Sequence, residues 1–141
     1  MSTGDIRFDE AHMWARPDGE TALMGLSDYA QDQLGEIIFV ELPDEGAVII
    51  RGDACGTVES VKSVEDLIAP ASGAVTRVNE DVLDAPEAIN DDPYGDGWLL
   101  ELELEDPAEV EALMTHDEYE KYLDALEGDE DEDLFEDEDE Q

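Results

Sequence analysis

The chain has 141 residues, a length typical of one domain, and its 41% apolar content suffices for a small hydrophobic core. Its 43 acidic residues face only six basic ones, for a formal net charge of -37. Binding to nucleic acid or to an anionic membrane depends on Lys and Arg, so this balance excludes both classes of partner.

The predicted elements are mostly short strands. The Pro17-Asp18-Gly19 turn separates the first two, as in a hairpin. From the N-terminus, strands are expected at 6–16, 21–26, 36–42, 47–50, 55–61, 64–69, 74–78 and 98–104.

Three short helices are predicted between and after the strands. The first has Ser27 or Asp28 as N-cap and ends at Gly35. Asp106 and Pro107 begin a second helix, and a third runs from His116 or Asp117 to Gly128. The segment 79–96, rich in Asn, Asp, Pro and Gly, is expected to be irregular. The predicted fold is mainly β, a flattened β-barrel or sandwich with short helices, two of them C-terminal.

The excess of negative charge is not confined to the C-terminal segment. Glu127–Gln141 holds eleven acidic and no basic residues, which predicts a disordered tail after a folded domain at 1–126. Thirty-two acidic residues remain in that domain, and their repulsion destabilises a compact state at low ionic strength. We interpret the composition as adaptation to high salt; a moderately acidic domain with an acidic appendage is the alternative.

Lys62 is the residue whose position most needs an explanation. The chain has two lysines, Lys62 and Lys121, and Lys62 lies at the tip of a predicted hairpin, in Val58-Glu59-Ser60-Val61-Lys62-Ser63-Val64. A rigid tip suits a lysine that is modified on its amine. An ordinary exposed turn lysine is the alternative that the residues by themselves leave open.

Other reactive residue types give weaker signals. Cys55 has no partner for an intramolecular disulfide and is expected to be a small buried residue. His12 and His116 are too isolated in sequence to predict a metal site, and Trp14 and Trp98 are expected in the core. No signal-peptide pattern or membrane-length apolar run is present, so a cytoplasmic protein is predicted.

Four blocks of sequence resemble the glycine cleavage system H protein family, from about Phe8 to Leu126. They are Gly25-Leu26-Ser27-Asp28-Tyr29-Ala30-Gln31, the segment from Leu34 to Pro43, Gly56-Thr57-Val58-Glu59-Ser60-Val61-Lys62, and the segment from Asn90 to Leu99. The resemblance implies the lipoyl-domain fold, the barrel-sandwich hybrid. It also implies lipoic acid in amide linkage on Lys62, attached by a lipoate ligase or lipoyl transferase.

The family resemblance implies a monomeric carrier rather than an enzyme. The arm on Lys62 would receive the aminomethyl group of glycine from the P protein and deliver it to the T protein, and the L protein would reoxidise it. Asp66 matches a position that the family uses in the cleft that holds the loaded arm. The chain reads His12-Met13-Trp14 where the family commonly has His-Glu-Trp. Met13 is a candidate contact of the arm cleft by its position in this motif, although it cannot pair with a cation, and Glu10 is a candidate to replace the missing carboxylate.

Two other functions remain open. One is a related lipoyl carrier of a sulfur-oxidation system of the heterodisulfide-reductase-like type, or of a lipoyl relay. The other is an unmodified acidic binding module. A lipoyl adduct at Lys62 separates the last from both carriers.

The salt-adaptation hypothesis predicts that stability rises with ionic strength, because added ions screen the repulsion among the carboxylates. Thermal unfolding measured from low salt to molar KCl should show a midpoint that increases steadily. A midpoint that does not rise with KCl would contradict the hypothesis.

Overall fold

The computed structural model describes residues 6–133, with side chains described for 6–126. Within this range there are nine strands and five helices. The strands are β1 Arg7–Phe8, β2 Met13–Asp18, β3 Thr21–Leu26, β4 Ile37–Glu41, β5 Val48–Ile49, β6 Ala54–Ser60, β7 Val64–Ile68, β8 Gly73–Val78 and β9 Leu100–Leu104. The helices are α1 Asp28–Leu34, α2 Glu80–Asp84, α3 Glu87–Asp91, α4 Ala108–Glu111 and α5 His116–Asp133.

The strands form two antiparallel sheets. Six strands lie in the order β1-β2-β3-β9-β8-β5, and the other three in the order β4-β6-β7. Met24 and Leu102 of the large sheet share one core with Val40, Val58 and Leu67 of the small one. The prediction of a mainly β fold with two packed sheets is therefore confirmed. The sheets do not close into a barrel, because no ladder joins them among the described residues.

A second hydrophobic cluster covers the outer face of the large sheet. Trp14 is fully buried there, and its indole lies against Gly25 on the neighbouring strand, where a Cβ would be 3.0 Å from Nε1. Phe8 stacks on Tyr119 of α5 with ring centroids 4.3 Å apart. Helix α5 is therefore packed on the N-terminal strands. The expected burial of Trp14 is confirmed, and Trp98 is half-buried beside this cluster.

The segment 79–96 was predicted to be irregular, but it contains α2 and α3. The Asn79 side chain accepts a hydrogen bond from the Asp81 N–H and caps α2. Val82 and Ile89 are each the single buried residue of a five-residue helix, and both are fully buried. One buried residue per helix leaves no helical periodicity to read, which explains why the sequence prediction was wrong here.

The C-terminal helices begin close to where they were predicted. The Asp106 side chain accepts from the Ala108 N–H at the start of α4. Helix α5 continues to Asp133, so its predicted end at Gly128 is wrong. Residues 134–141 of the predicted tail lie outside the described residues, and the domain boundary after 126 stays a prediction. None of the helices in the described range combines the length and apolar character needed to cross a membrane.

Candidate functional site

Lys62 lies at the tip of the hairpin formed by β6 and β7, as predicted. The hydroxyl oxygen of Ser60 accepts hydrogen bonds from the N–H groups of Lys62 and Ser63, at 3.1 and 3.2 Å. The Ser60 N–H donates to the Ser63 carbonyl at 2.8 Å, and Ser60 is 5% exposed. One buried hydroxyl therefore satisfies two N–H groups of the turn, and the backbone that carries Lys62 is held in one conformation.

The hairpin tip is also held from outside the hairpin. The Val61 N–H donates to the Glu36 carbonyl at 3.0 Å. The exposed Lys62 side chain passes over Gly35, where a Cβ would be 3.0 Å from the lysine Cε. Gly35 has a φ of 81°, which L side chains rarely adopt, so a side chain at this position would strain the backbone and displace the end of the Lys62 side chain.

Asn90 joins the segments beneath the tip. Its amide nitrogen donates to the Gly35 carbonyl at 2.8 Å and to the Gln31 side chain at 2.9 Å. Its side-chain oxygen accepts from the Ile37 N–H at 2.9 Å. One side chain from α3 therefore connects the end of α1 to the start of β4, the two segments that support the lysine.

A cleft of about 260 Å³ begins at Ser63, the residue after Lys62. One side is formed by α1, and the opposite side by β7. The lining residues are Ala11, His12, Leu26, Tyr29, Ala30, Gln33, Leu34, Val58, Ser63, Glu65 and Asp66. Its floor is apolar and its edge carries the two carboxylates of β7, so the cleft suits a slender apolar chain with a polar or cationic end.

His12 forms part of the cleft wall through a chain of three side chains. The His12 Nδ1 lies 2.8 Å from the Tyr119 hydroxyl, which lies 2.8 Å from the Ser27 hydroxyl. The Ser27 oxygen also accepts from the Ala30 N–H and caps α1. The His12 ring packs on Tyr29 with centroids 4.7 Å apart. Burial lowers the pKa of His12 below 6.5, which favours the neutral imidazole.

Asp9 holds the backbone at His12. One of its carboxylate oxygens accepts from the N–H groups of Ala11 and Met13, at 3.0 and 2.9 Å. His12 itself has a φ of 68°. His12 is therefore a left-handed residue that ends the turn, and β2 begins at the next residue. Because the backbone direction changes there, His12 points to the cleft while Met13 points to the core.

The candidate contacts predicted from the sequence have different locations. Asp66 lines the cleft. Glu10 is exposed in the same turn as His12, but it faces a separate depression beside Arg51. Met13 is 1% exposed in the main core, so the expectation that it contacts the cleft is corrected. The substitution at position 13 therefore places an apolar side chain in an apolar environment.

Sequence reasoning missed most of the cleft wall. The sequence predicts no metal site at His12, and it does not mark Tyr29, Gln33 or Glu65 as site residues. Tyr29 and Gln33 are four residues apart on α1, a spacing that places them on one helix face. That spacing was visible in the sequence, but nothing in it showed which element faces α1.

Two other reactive groups do not extend the site. Cys55 is 8% exposed, as expected, and burial raises the pKa of its thiol to about 11, so the reactive thiolate is scarce. His116, predicted to be isolated, has ligand atoms within 4.8 Å of those of Asp117 and Glu120. All three are exposed, and such groups are common at surfaces without any bound ion.

Comparison with known proteins agrees with this geometry. The family model described as "Glycine cleavage H-protein" matches residues 6–126. The chain belongs to the glycine cleavage H-protein family. A relative from Natronomonas pharaonis, named "Probable glycine cleavage system H protein", is 53% identical over 119 residues, covering 84% of this chain and 94% of the relative. The "Glycine cleavage system H protein" of Listeria monocytogenes is 48% identical over 120 residues, covering 85% and 96%.

A solved structure of this family has the same fold. The crystal structure of a glycine cleavage system H protein from Mycobacterium marinum matches with a TM-score of 0.78 and 36% identity, covering 87% of this chain and 99% of that one. The predicted family is confirmed. Of the three functions considered from the sequence, the family match and these relatives support the carrier of the glycine cleavage system over the other two.

The buried neutral state of His12 predicts a pH dependence of stability. The folded-state pKa lies below the unfolded value of 6.5, so the unfolded chain binds the extra proton first. This contribution to stability is present above 6.5 and is lost as the pH falls through the folded-state value. His12→Asn keeps an acceptor near the Nδ1 position, tolerates a positive φ and does not titrate there.

We therefore expect the free energy of unfolding to fall more steeply for the unmodified sequence than for His12→Asn between about pH 7 and about pH 5.5. Chemical denaturation at several pH values in constant molar KCl measures both slopes. Asp9, whose pKa is raised by burial, contributes equally to both proteins and cancels in the difference. Equal slopes would contradict the assignment of a buried neutral His12.

Proposed function

We propose that residues 1–126 act as the lipoyl carrier of the glycine cleavage system, with lipoic acid attached to Lys62. The observation that carries this proposal is an exposed lysine on a braced hairpin tip, directly beside a cleft, in a member of the H-protein family. Lys121, the other lysine, lies exposed on α5. The dithiolane of lipoic acid would supply the sulfur that receives the aminomethyl group of glycine.

The residues around Lys62 favour attachment and movement of such an arm. The lysine amine is exposed, and the turn beneath it is rigid, so a lipoate ligase or lipoyl transferase can dock on the hairpin and reach one nitrogen. Amide formation removes the ammonium charge, so the arm can enter an apolar cleft without desolvating a cation at its base. Gly35 leaves room for the lysine stem to lie flat on the way to the cleft.

The cleft residues suit the cargo. An aminomethyl group carries an amine that is cationic near neutral pH, and the Glu65 and Asp66 carboxylates at the cleft edge attract a cation. Neutral His12 adds no positive charge that would oppose it. Leu26, Ala30 and Val58 provide the apolar floor that excludes water from the stem of the arm.

The predicted partners follow from this role. The P protein would load the arm, the T protein would remove the one-carbon unit, and the L protein would restore the disulfide. The chain itself would act as a carrier without catalysing a reaction, as a monomer in the cytoplasm. Glu10 remains a candidate for a contact with the arm only if the turn at 9–12 rearranges, because it faces away from the cleft.

Lys62→Arg tests the attachment site. We expect complete loss of lipoylation, because guanidinium is not acylated, with little change in unfolding midpoint since the side chain is exposed. Intact mass after treatment with a lipoate ligase measures the adduct, and glycine–bicarbonate exchange with the P protein measures carriage. Lys121→Arg is the matched control and should be lipoylated normally. An adduct that persists in Lys62→Arg would overturn the assignment.

Asp66→Asn tests the cleft. Removing one carboxylate weakens the attraction for the loaded amine, and an exposed pair of this kind typically contributes about 0.2–1 kcal/mol, or about a 1.5- to fivefold change in equilibrium. We expect faster release of formaldehyde and ammonia from the loaded protein when the T protein is absent. Glu41→Gln, exposed on the same sheet and outside the cleft, is the matched control. Identical release rates would argue against a role for Asp66.

A further inference from the structure

Four large apolar side chains are exposed around the lysine turn. Ile38 and Phe39 belong to β4, and Val61 and Val64 flank the turn; their exposed fractions are 48%, 50%, 61% and 63%. We call these four residues the apolar collar. Among the described residues, the other large apolar side chains that are exposed lie on or beside β5 and on α2: Val48, Ile50 and Leu83.

The backbone of β4 produces part of this exposure. A regular strand alternates between its two faces, so consecutive residues cannot both point to solvent from a covered sheet. The register of β4 against β6 shifts between Ile37 and Phe39, as in a β-bulge. Ile38 and Phe39 are consequently exposed in succession, between buried Ile37 and Val40. Bulges commonly redirect side chains next to functional sites.

Two residues of the collar belong to the row of paired strand residues that lies nearest the lysine turn. Phe39 pairs with Glu59, and Glu59 pairs with Val64, so these three side chains lie side by side on one face of the small sheet. Lys62 lies in the turn next to this row, between Val61 and Ser63. Once its amine is acylated, the base of the arm has no charge, so the collar no longer has a cation at its centre.

Carboxylates surround this apolar surface. Glu59 lies within the row, and the neighbouring acidic residues are all exposed: Glu36, Glu41, Glu65 and Asp66. A complementary partner surface has an apolar centre and a rim of Lys or Arg. The same carboxylates oppose the approach of a second copy of this chain, which carries the same charges in the same places.

The arm limits where such a partner can bind. It is anchored in the middle of the collar, so an enzyme that acts on its far end must bring its own surface against the residues around Lys62. The resting arm, an amide with a closed disulfide, has no charge for Glu65 and Asp66 to attract. It is therefore the form least retained by the cleft and most readily extended past the collar to the enzyme that loads it.

We propose that the apolar collar is the docking surface for the P protein, which engages it through an apolar patch with a basic rim. This inference rests on the proposed function. At high salt the charge pairs of the rim are screened, whereas apolar burial is retained or strengthened. The collar is thus the part of the interface that maintains affinity at high salt.

The test replaces Phe39 and Val64 together by Thr, which preserves β propensity and removes apolar surface from exposed positions. Val48→Thr is the matched control, because Val48 is 72% exposed on a strand of the other sheet. Both variants and the unmodified sequence are lipoylated in vitro, and only material shown by intact mass to be fully modified is used. The KM of the P protein for each carrier is measured by glycine–bicarbonate exchange at about 0.3 M and about 3 M KCl. Charges interact over a clearly shorter distance at the higher concentration.

We expect the double variant to raise the KM about tenfold at both salt concentrations, with kcat nearly unchanged, as for truncation of central interface residues. Val48→Thr should match the unmodified sequence. An unchanged KM in the double variant, with normal exchange by the unmodified protein, overturns the docking surface and leaves the carrier function intact. Absence of exchange by the fully lipoylated unmodified protein overturns both.

Light scattering tests whether the collar instead joins two copies of this chain. The unmodified protein is expected to be a monomer at both salt concentrations, and the double variant likewise. A dimer that dissociates in the double variant but persists in Val48→Thr would assign the collar to self-association and overturn the proposal.

Discussion

The hydroxyl of Ser60 is the interaction on which the site depends most directly. It is buried, and it accepts hydrogen bonds from two N–H groups of the half-buried turn. The Val61 N–H is satisfied separately by Glu36. With the backbone fixed in this way, the flexibility at Lys62 is confined to its side chain, which is the property that a swinging arm requires.

The support for this turn comes from distant parts of the chain. Asn90 on α3 connects the segments under the lysine, and Tyr119 on α5 connects His12 to the cap of α1. The cleft wall is consequently built from the N-terminal turn, the first helix and the hairpin, but held by the second half of the sequence. Loss of α5 packing would release His12 and the start of α1 together.

The surface combines two opposing tendencies. The chain carries 43 acidic residues, which keep a protein hydrated and discourage association, yet an apolar collar surrounds the one lysine that extends from the hairpin tip. Exposed apolar groups in such a protein carry a risk of aggregation. Their concentration at the base of the arm is explained if a partner covers them there during turnover.

The sequence by itself determined the β-rich architecture, the hairpin with Lys62 at its tip, the start of the first helix at Ser27 or Asp28 and the family, because turns, caps and a distinctive motif are local signals. Tertiary structure decided the rest. It placed Met13 in the core and His12 in the cleft, since a single left-handed residue sets where strand alternation begins. It also formed α2 and α3 from residues without helical periodicity, and brought Tyr119 to Ser27 across 92 positions. Such contacts depend on packing between distant segments, which no local pattern encodes.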